Sequence, residues 1–253
     1  MNALKFSISS ILLALALVCI RQPANAGVWD NPKNLKVLPE DISPGELRAT
    51  MMGFIKGTGS RCSTCHVAKD NTDTRTLDFP LDDKENKRTA RAMIVMVRNI
   101  NEYLTDELSE FSSEHVTVEC ATCHRGVAKP EMIQDVLTVV FHADGLEKAL
   151  AEYRILREKY FGAYAFDFSA NGLNDLAERM ASADELDAAL TFLDLNLEFN
   201  PESVRAYQLQ GDMWKTKDDV AAARKSYEKA LELAPDNAFT QGLLEKLDAP
   251  DAQ

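Results

Sequence analysis

The sequence predicts an all-α protein in two halves, with little regular sheet in the first half and a helical repeat module in the second. Apolar residues recur at helical spacing through much of the chain. Two stretches of the second half repeat the same order of large and small residues. Two short cysteine–histidine motifs set the first half apart, and we place the boundary between residues 137 and 138.

Residues 1–26 have the three parts of a secretory signal: a short basic start with Lys5, an apolar run, and an Ala-Asn-Ala cleavage site at the end. The apolar run is too short to span a bilayer comfortably. We therefore expect a periplasmic protein without a transmembrane helix after cleavage. A lipid anchor on Cys19 is disfavoured, because Val18 stands where a small residue should precede the cysteine.

Cleavage would leave a strongly acidic protein. The whole chain has a formal charge of −12, and loss of the two basic residues of the signal leaves 26 basic and 40 acidic residues, a charge of −14. No basic face is available to neutralise phosphates, so we exclude nucleic acid as a partner.

The second half, residues 138–253, contains the repeated unit. The stretches "AERMASADELDAALTFLDLNLEFNP" and "GDMWKTKDDVAAARKSYEKALELAP" end at Pro201 and at Pro235. Large, small and aromatic residues of the second unit follow the order Tyr207, Gly211, Trp214, Ala223, Tyr227, Ala230, Pro235. This order and the interval between the two prolines resemble the tetratricopeptide repeat, in which two antiparallel helices mesh. The first unit matches less closely, since Asn196 stands at a usually small position, and further helices are expected near residues 146–160 and 240–247.

Four cysteines remain after cleavage, all in the motifs "RCSTCH" (61–66) and "ECATCHRG" (119–126). A structural zinc site, a thiol–disulfide exchange pair or structural disulfides would use the thiols but leave both trailing histidines unexplained. The pattern C-x-x-C-H is the attachment signature of c-type haem, and it uses every residue of the motif.

The first half, residues 27–137, is therefore predicted to bind two covalently attached haem c groups. The cysteines would form thioethers with the haem vinyl groups, and the adjacent histidines would be the proximal iron ligands. The attachment residues are Cys62, Cys65, Cys120 and Cys123, and the proximal ligands are His66 and His124.

The stretch "DISPGELRATMMGFIKGTG" before the first motif predicts a helix. Ser43 and Glu46 have the spacing of a capping box, and Gly57 and Gly59 are expected to end the helix.

An apolar face of this helix offers a distal ligand for the first iron. Leu47, Met51 and Phe54 share that face, whereas Met52 is rotated about 100° away from it. Met51 is thus the better candidate, with Met52 as the alternative.

The stretch "KENKRTARAMIVMVRNINEYL" before the second motif also predicts a helix. Met93, Val97, Ile100 and Leu104 form one stripe, and Met96 lies one turn beyond Met93. A methionine at helical spacing is as often a core residue as a ligand. His115, in a loop expected over residues 105–118, is a competing ligand or a plain surface histidine.

Three stretches in this order resemble the cytochrome subunit of photosynthetic reaction centres and its shorter relatives. They are "NLKVLPEDISPGELRATMMGFIKGTGSRCSTCHVAKD", "TARAMIVMVRNINEYL" and "CATCHRGVAKP", which together span Asn34 to Pro130. The resemblance implies a repeated unit in which a helix supplies the axial methionine, here Met51 and Met93. That subunit has four haems and no repeat tail, so donation to a photosynthetic special pair is not implied.

These observations predict a periplasmic dihaem cytochrome c that carries electrons between redox proteins, membrane-bound partners included, and is not an enzyme. With histidine and methionine bound, neither iron has a free site for substrate chemistry. The acidic repeats would dock a partner, although solubility explains their charge equally well. Two alternatives stay open: a haem peroxidase or gas sensor with one five-coordinate iron, and a repeat-based scaffold with a redox switch.

Overall fold

A computed structural model describes residues 27–70, 73–108, 110–111 and 116–248. These residues form eleven helices and one two-stranded sheet, which confirms the all-α class with little regular sheet. The signal segment with Cys19, and the competing ligand His115, lie outside the described residues. None of the helices in the described part of the chain is long and apolar enough to cross a membrane.

The first half consists of short elements around one long helix. In chain order they are α1 (Pro44–Thr58), α2 (Cys62–Cys65), β1 (Val67–Asp70), β2 (Asp73–Asp78), α3 (Glu85–Leu108) and α4 (Cys120–His124). The strands β1 and β2 form an antiparallel hairpin that begins directly after the first motif. Because α3 continues to Leu108, the start of the loop expected over residues 105–118 is helical.

Helix α1 begins with the predicted capping box. The hydroxyl of Ser43 accepts from the backbone N–H of Glu46 at 3.3 Å, and the Glu46 carboxylate accepts from the backbone N–H of Ser43 at 3.0 Å. Gly59 ends the helix in the left-handed region, with a φ of 65°. The prediction that Gly57 also ends the helix is wrong, since Gly57 lies inside α1 and is buried.

The second half consists of seven consecutive helices. They are α5 (Ile133–Asp144), α6 (Leu146–Tyr160), α7 (Ala170–Ser182), α8 (Leu186–Phe199), α9 (Val204–Thr216), α10 (Val220–Leu233) and α11 (Ala238–Asp248). Neighbours pack as antiparallel pairs, α5 with α6, α7 with α8, and α9 with α10, while α11 packs against α10. The helices expected at residues 146–160 and 240–247 are thus present as α6 and α11.

The helical pairs have the tetratricopeptide-like repeat predicted from the sequence. Helices α7, α9 and α11 begin at equal intervals along the chain, as stacked repeats of this kind do. In the second unit the Tyr227 ring lies so close to Gly211 that a Cβ at that glycine would be 2.2 Å from a ring carbon. The unusual Asn196 of the first unit is fully buried, and its amide donates to Asn174 Oδ1 and to the Ala170 carbonyl. These bonds tie α8 to α7 and explain how an amide is accommodated there.

Buried apolar side chains are distributed unequally between the two halves. In the described residues before Ile133, only Leu47 and Val127 are buried apolar side chains, whereas the helical half has one continuous core. Ile133 and Leu137 of α5 belong to that core, so the predicted boundary after residue 137 lies inside a continuous helix. A boundary just before Ile133 would keep α5 whole, and the division of the chain stays a prediction.

Candidate functional site

The two cysteine motifs fold into matching one-turn helices, α2 and α4. In each, the threonine between the cysteines accepts from the backbone N–H of the residue that precedes the first cysteine: Thr64 from Arg61 at 3.2 Å and Thr122 from Glu119 at 2.9 Å. One helical turn places cysteines three residues apart on the same side of the helix. The local sequence thus presents both thiols of a motif to one ligand.

The histidine that follows each pair of cysteines is available as a metal ligand. His124 Nδ1 lies 3.0 Å from the Val127 carbonyl, an acceptor that would hold the proton on Nδ1 and leave Nε2 free to coordinate. His66 Nδ1 is buried without a hydrogen-bond partner, and the ring packs edge-on against Phe79 at 4.8 Å between centroids. Burial lowers the pKa of His66, and the positive charge of Lys87 acts in the same direction, which favours the neutral imidazole that metals bind.

A cavity of ≈ 1090 Å³, including the open space at its mouth, contains the first motif. Cys62, Cys65 and His66 line it together with Met51, whereas Met52 is 38% exposed and lies outside the lining. Most other lining side chains are apolar: Leu35, Val37, Leu38, Leu47, Phe54, Ile55, Phe79 and Ile94 among them. The lining is mostly apolar with a few convergent polar groups, as is typical of ligand and cofactor sites.

The donor set fits a haem, and so does the shortage of apolar core in the first half. A segment of about a hundred residues with two buried apolar side chains lacks the core that a domain of this size needs. A porphyrin tethered to Cys62 and Cys65, with His66 and Met51 as axial ligands, would fill the cavity with apolar surface. The group would supply an iron centre that gains and loses one electron.

The second motif is anchored to two helices. Helix α4 packs against the C-terminal end of α1, where the Gly126 N–H donates to the Gly57 carbonyl at 2.7 Å. The Asn101 side chain on α3 holds both polar backbone atoms of Val118, at 2.9 Å to the carbonyl and 2.8 Å from the N–H. The residues just before Cys120 are therefore fixed beside the C-terminal third of α3.

This anchor relates Met93 to Met51. Met51 precedes Cys62 by 11 residues, and Met93 precedes Cys120 by 27. Residues 102–117 lie between the two ends of the Asn101–Val118 contact, and setting that segment aside leaves the same spacing in both units. The second unit is thus spaced like the first, with an insertion between Asn101 and Val118 that includes the last turns of α3. This relation is not evident without the contact.

The surroundings of Met93 identify it as an iron ligand less clearly than those of Met51 do. Met93, Val97, Ile100 and Leu104 are half-buried along one side of α3, whereas Met96 is 43% exposed in a shallow groove on another side. Ile94, not Met93, lines the first cavity. The structure brings Met51 and His66 together; the assignment of Met93 to the second iron stays a prediction.

Comparison with known families decides the assignment of the first half. The profile of the family described as "Photosynthetic reaction centre cytochrome C subunit" matches residues 21–152, just over half of the chain. The chain belongs to the reaction centre cytochrome c subunit family. The family consists of c-type cytochromes, which indicates an electron carrier with covalently attached haem, and the resemblance predicted from the sequence is confirmed.

Other comparisons add little to the family assignment. No curated protein matches the chain significantly. Among solved structures, the first tetratricopeptide domain of Spaghetti (RPAP3) bound to an HSP90 peptide is 19% identical, with a TM-score of 0.31. The match covers 46% of this chain and 86% of that domain's chain. An NMR structure of the first such domain of human RPAP3 has the same identity and coverage and a TM-score of 0.32. These scores are too low to carry an argument, and the repeat assignment rests on the helical pairs themselves.

The geometry gives no support to the other uses of the four thiols. Each of the four cysteines in the described ranges is unpaired. Among the described residues, no three His, Cys, Asp or Glu side chains converge closely enough to hold a metal ion. A haem iron needs only two protein ligands, because the porphyrin supplies four. A cytochrome therefore does not require three or more converging ligand side chains.

A polar cluster around Asp82 closes the first cavity in a way that the sequence analysis missed. The Asp82 carboxylate accepts from Asn34 at 2.9 Å, Lys36 at 2.6 Å, Lys87 at 2.9 Å and Arg91 at 2.8 Å. These bonds join the N-terminal loop that carries Leu35 and Leu38 to α3. No periodicity marks that loop, and its role becomes evident only from the contacts of Asn34 and Lys36 with the distant Asp82.

Lys87 reinforces the same wall from inside. It is buried, and its ammonium group donates to the carbonyls of Phe79, Pro80 and Leu81 at 2.7, 3.0 and 2.6 Å. A buried ammonium group needs this full set of partners, with a counter-charge among them. Asp82 provides that counter-charge.

Asp82→Asn is expected to make the cavity wall less stable at neutral pH. The Arg91 guanidinium, followed by Lys36, holds the pKa of Asp82 well below its usual range. A carboxyl whose folded pKa is lowered contributes stability above its unfolded pKa, about 3.9, and loses it as the pH falls further. Wild type should therefore lose stability in acid below about pH 4, whereas Asp82→Asn should start lower at pH 7 and lose less on acidification.

Thermal unfolding of the haem-loaded protein between pH 3 and pH 8 measures both effects. Asp83→Asn, a change of the exposed neighbouring carboxylate, is the matched control and should follow the wild-type curve. Equal melting temperatures of Asp82→Asn and wild type at pH 7 would show that the cluster does not stabilise the wall.

Proposed function

We propose that this chain is an exported dihaem c-type cytochrome that takes an electron from one redox protein and passes it to another. The observation that carries the proposal is the first cavity, in which both thiols, the histidine and one methionine line the same apolar space. The first haem would be held by Cys62, Cys65, His66 and Met51, and the second by Cys120, Cys123, His124 and Met93. With a histidine and a methionine bound to each, the irons would supply one-electron transfer and would leave no open position for a substrate.

The helical half is proposed to dock the partner. Residues 138–253 contain 12 basic and 22 acidic side chains, so they attract a partner with a basic or mixed surface. The Arg125 guanidinium beside the second motif donates to the Tyr164 carbonyl at 3.2 Å, across to the loop between α6 and α7. A protein docked on this side of the helical half would lie next to the second attachment site.

The intact mass of the exported protein tests the proposal. The chain is produced with its N-terminal segment in a bacterium that attaches haem to exported cytochromes, and the periplasmic fraction is analysed. The expected mass is that of residues 27–253 plus two haems. The double variants Cys62→Ala/Cys65→Ala and Cys120→Ala/Cys123→Ala should each carry one haem.

Two results would contradict the proposal. A protein without bound haem would overturn the cytochrome function altogether. Ready binding of carbon monoxide by reduced wild type would show an open iron position, which favours a peroxidase or gas sensor over an electron carrier.

A further inference from the structure

The charged side chains around the first attachment site are mainly positive. Four cations and no carboxylate line the first cavity; the cations are Lys33, Arg61, Lys87 and Arg91. A fifth, Lys84, donates to the Ser63 carbonyl inside the motif. Asp82 pairs with cations behind the wall and offsets one positive charge, which leaves a clear excess.

The second attachment site lacks such an excess of positive charge, because carboxylates near the motif offset the cations there. Glu119 directly precedes Cys120, and Glu102 directly follows the asparagine that holds Val118. Asp106 and Glu107 lie one turn further along α3. Sequence positions 99–118 contain no lysine or arginine at all. The nearby cations are Lys56 and Arg125, which flank a groove beside Ala121.

We infer that the two attachment sites are electrostatically unequal, and that an electron shared between them resides mainly at the first. Reduction adds one negative charge to the iron centre, from ferric to ferrous. Nearby cations stabilise the added charge and nearby carboxylates destabilise it, and inside a protein such interactions are screened less than in water. The first site therefore has the higher reduction potential, and the second holds the more reducing electron.

Enclosure of the first site acts in the same direction. A ferric haem has one more positive charge than a ferrous haem, and an apolar cavity disfavours the more highly charged state. The first cavity is lined by apolar side chains from the N-terminal loop, α1 and α3. Charge and enclosure thus both stabilise the reduced form there.

This inference rests on the proposed dihaem function, and redox titration of the two single-motif variants tests it. Each variant is expected to retain one haem, and its visible spectrum is recorded at a series of applied potentials to obtain the reduction potential. The haem retained by Cys120→Ala/Cys123→Ala, at the first site, should titrate at the higher potential. Absence of bound haem in both variants would refute the dihaem function, whereas bound haem with equal or reversed potentials would refute only this inference.

Charge variants of the full chain separate the effect of charge from that of the axial ligands. Lys33→Gln should lower the potential of the first site, and Glu119→Gln should raise that of the second. Both residues are exposed, so neither change needs repacking. Lys225→Gln, on α10 in the helical half, removes a charge far along the chain and should move neither potential.

Ionic strength supplies an independent measurement on the wild-type protein. Raising the salt concentration from about 0.01 M to 1 M shortens the screening length roughly tenfold, so the two potentials should approach each other. If the two reduction potentials did not change with salt concentration, in Lys33→Gln or in Glu119→Gln, nearby charges would not determine which site has the higher potential.

Discussion

Met51→Ala is expected to remove the sulfur-to-iron charge-transfer band of one haem while the protein retains both haems by mass. Met51 lines the first cavity with His66, Cys62 and Cys65, and alanine has no donor atom to replace its thioether. The iron left with one axial ligand should become high-spin in the ferric state and should bind carbon monoxide when reduced. With two haems present, the band should fall to about half of its wild-type intensity.

Met52→Ala is the matched control, since Met52 is the adjacent residue of the same helix and is outside the cavity lining. Its band should equal that of wild type. Met51→His is the complementary variant: an imidazole would keep the iron six-coordinate but lower its potential. A band lost in Met52→Ala and kept in Met51→Ala would reassign the ligand to Met52. If Met51 were purely structural, Met51→Ala would keep the band and Met51→His would not lower the potential.

Gly57→Ala is expected to destabilise the contact between α1 and the second motif, by about 1–3 kcal/mol of unfolding free energy. A Cβ at Gly57 would lie 2.7 Å from Cys120 Cβ and 3.0 Å from the Ala121 nitrogen. These neighbours belong to the main chain and to a cysteine that the haem would tether, so they have little room to move. We also expect less complete attachment of the second haem, measured as a mixture of one-haem and two-haem masses.

Gly53→Ala on the same helix should have the opposite sign. Apart from the adjoining backbone of its own helix, no atom lies within 4 Å of a Cβ built at Gly53, so alanine there adds only helix propensity, about 1 kcal/mol in its favour. Urea unfolding of both variants, followed by circular dichroism, measures the difference. Gly57→Ala with the stability of Gly53→Ala would show that α1 and α4 can separate at no cost.

The sequence contained the local part of the candidate site and little of its long-range part. Each C-x-x-C-H motif is contiguous, so the thiols and histidine come from one turn of chain, and the Ser43–Glu46 box fixed the start of α1. Helical periodicity favoured Met51 over Met52, and Met51 is the one of the two that lines the first cavity; its role as an iron ligand stays a prediction. Such features depend on residues within about one or two helical turns of each other.

The remainder depends on residues distant in sequence. Leu35 and Leu38 line the first cavity from an irregular loop, held by an ion cluster centred on Asp82. The pairing of Asn101 with Val118 relates the second unit to the first, and an intervening excursion hides that spacing in the sequence. Glycine is typical of a helix end, but Gly57 lies within α1, where the close approach of Cys120 leaves no room for a side chain.

The contact between Gly57 and Gly126 has a consequence for how freely this sequence can vary. The spacing between the end of α1 and α4 is set where main-chain atoms meet, with the Gly59 Cα so close to the Gly126 carbonyl that a Cβ would be 2.3 Å from its oxygen. Side chains elsewhere on α1 and α4 can change without altering this spacing. Gly57, Gly59 and Gly126 thus determine how closely α1 approaches α4. Substitutions should be tolerated much less at these three positions than at the positions on either side of them.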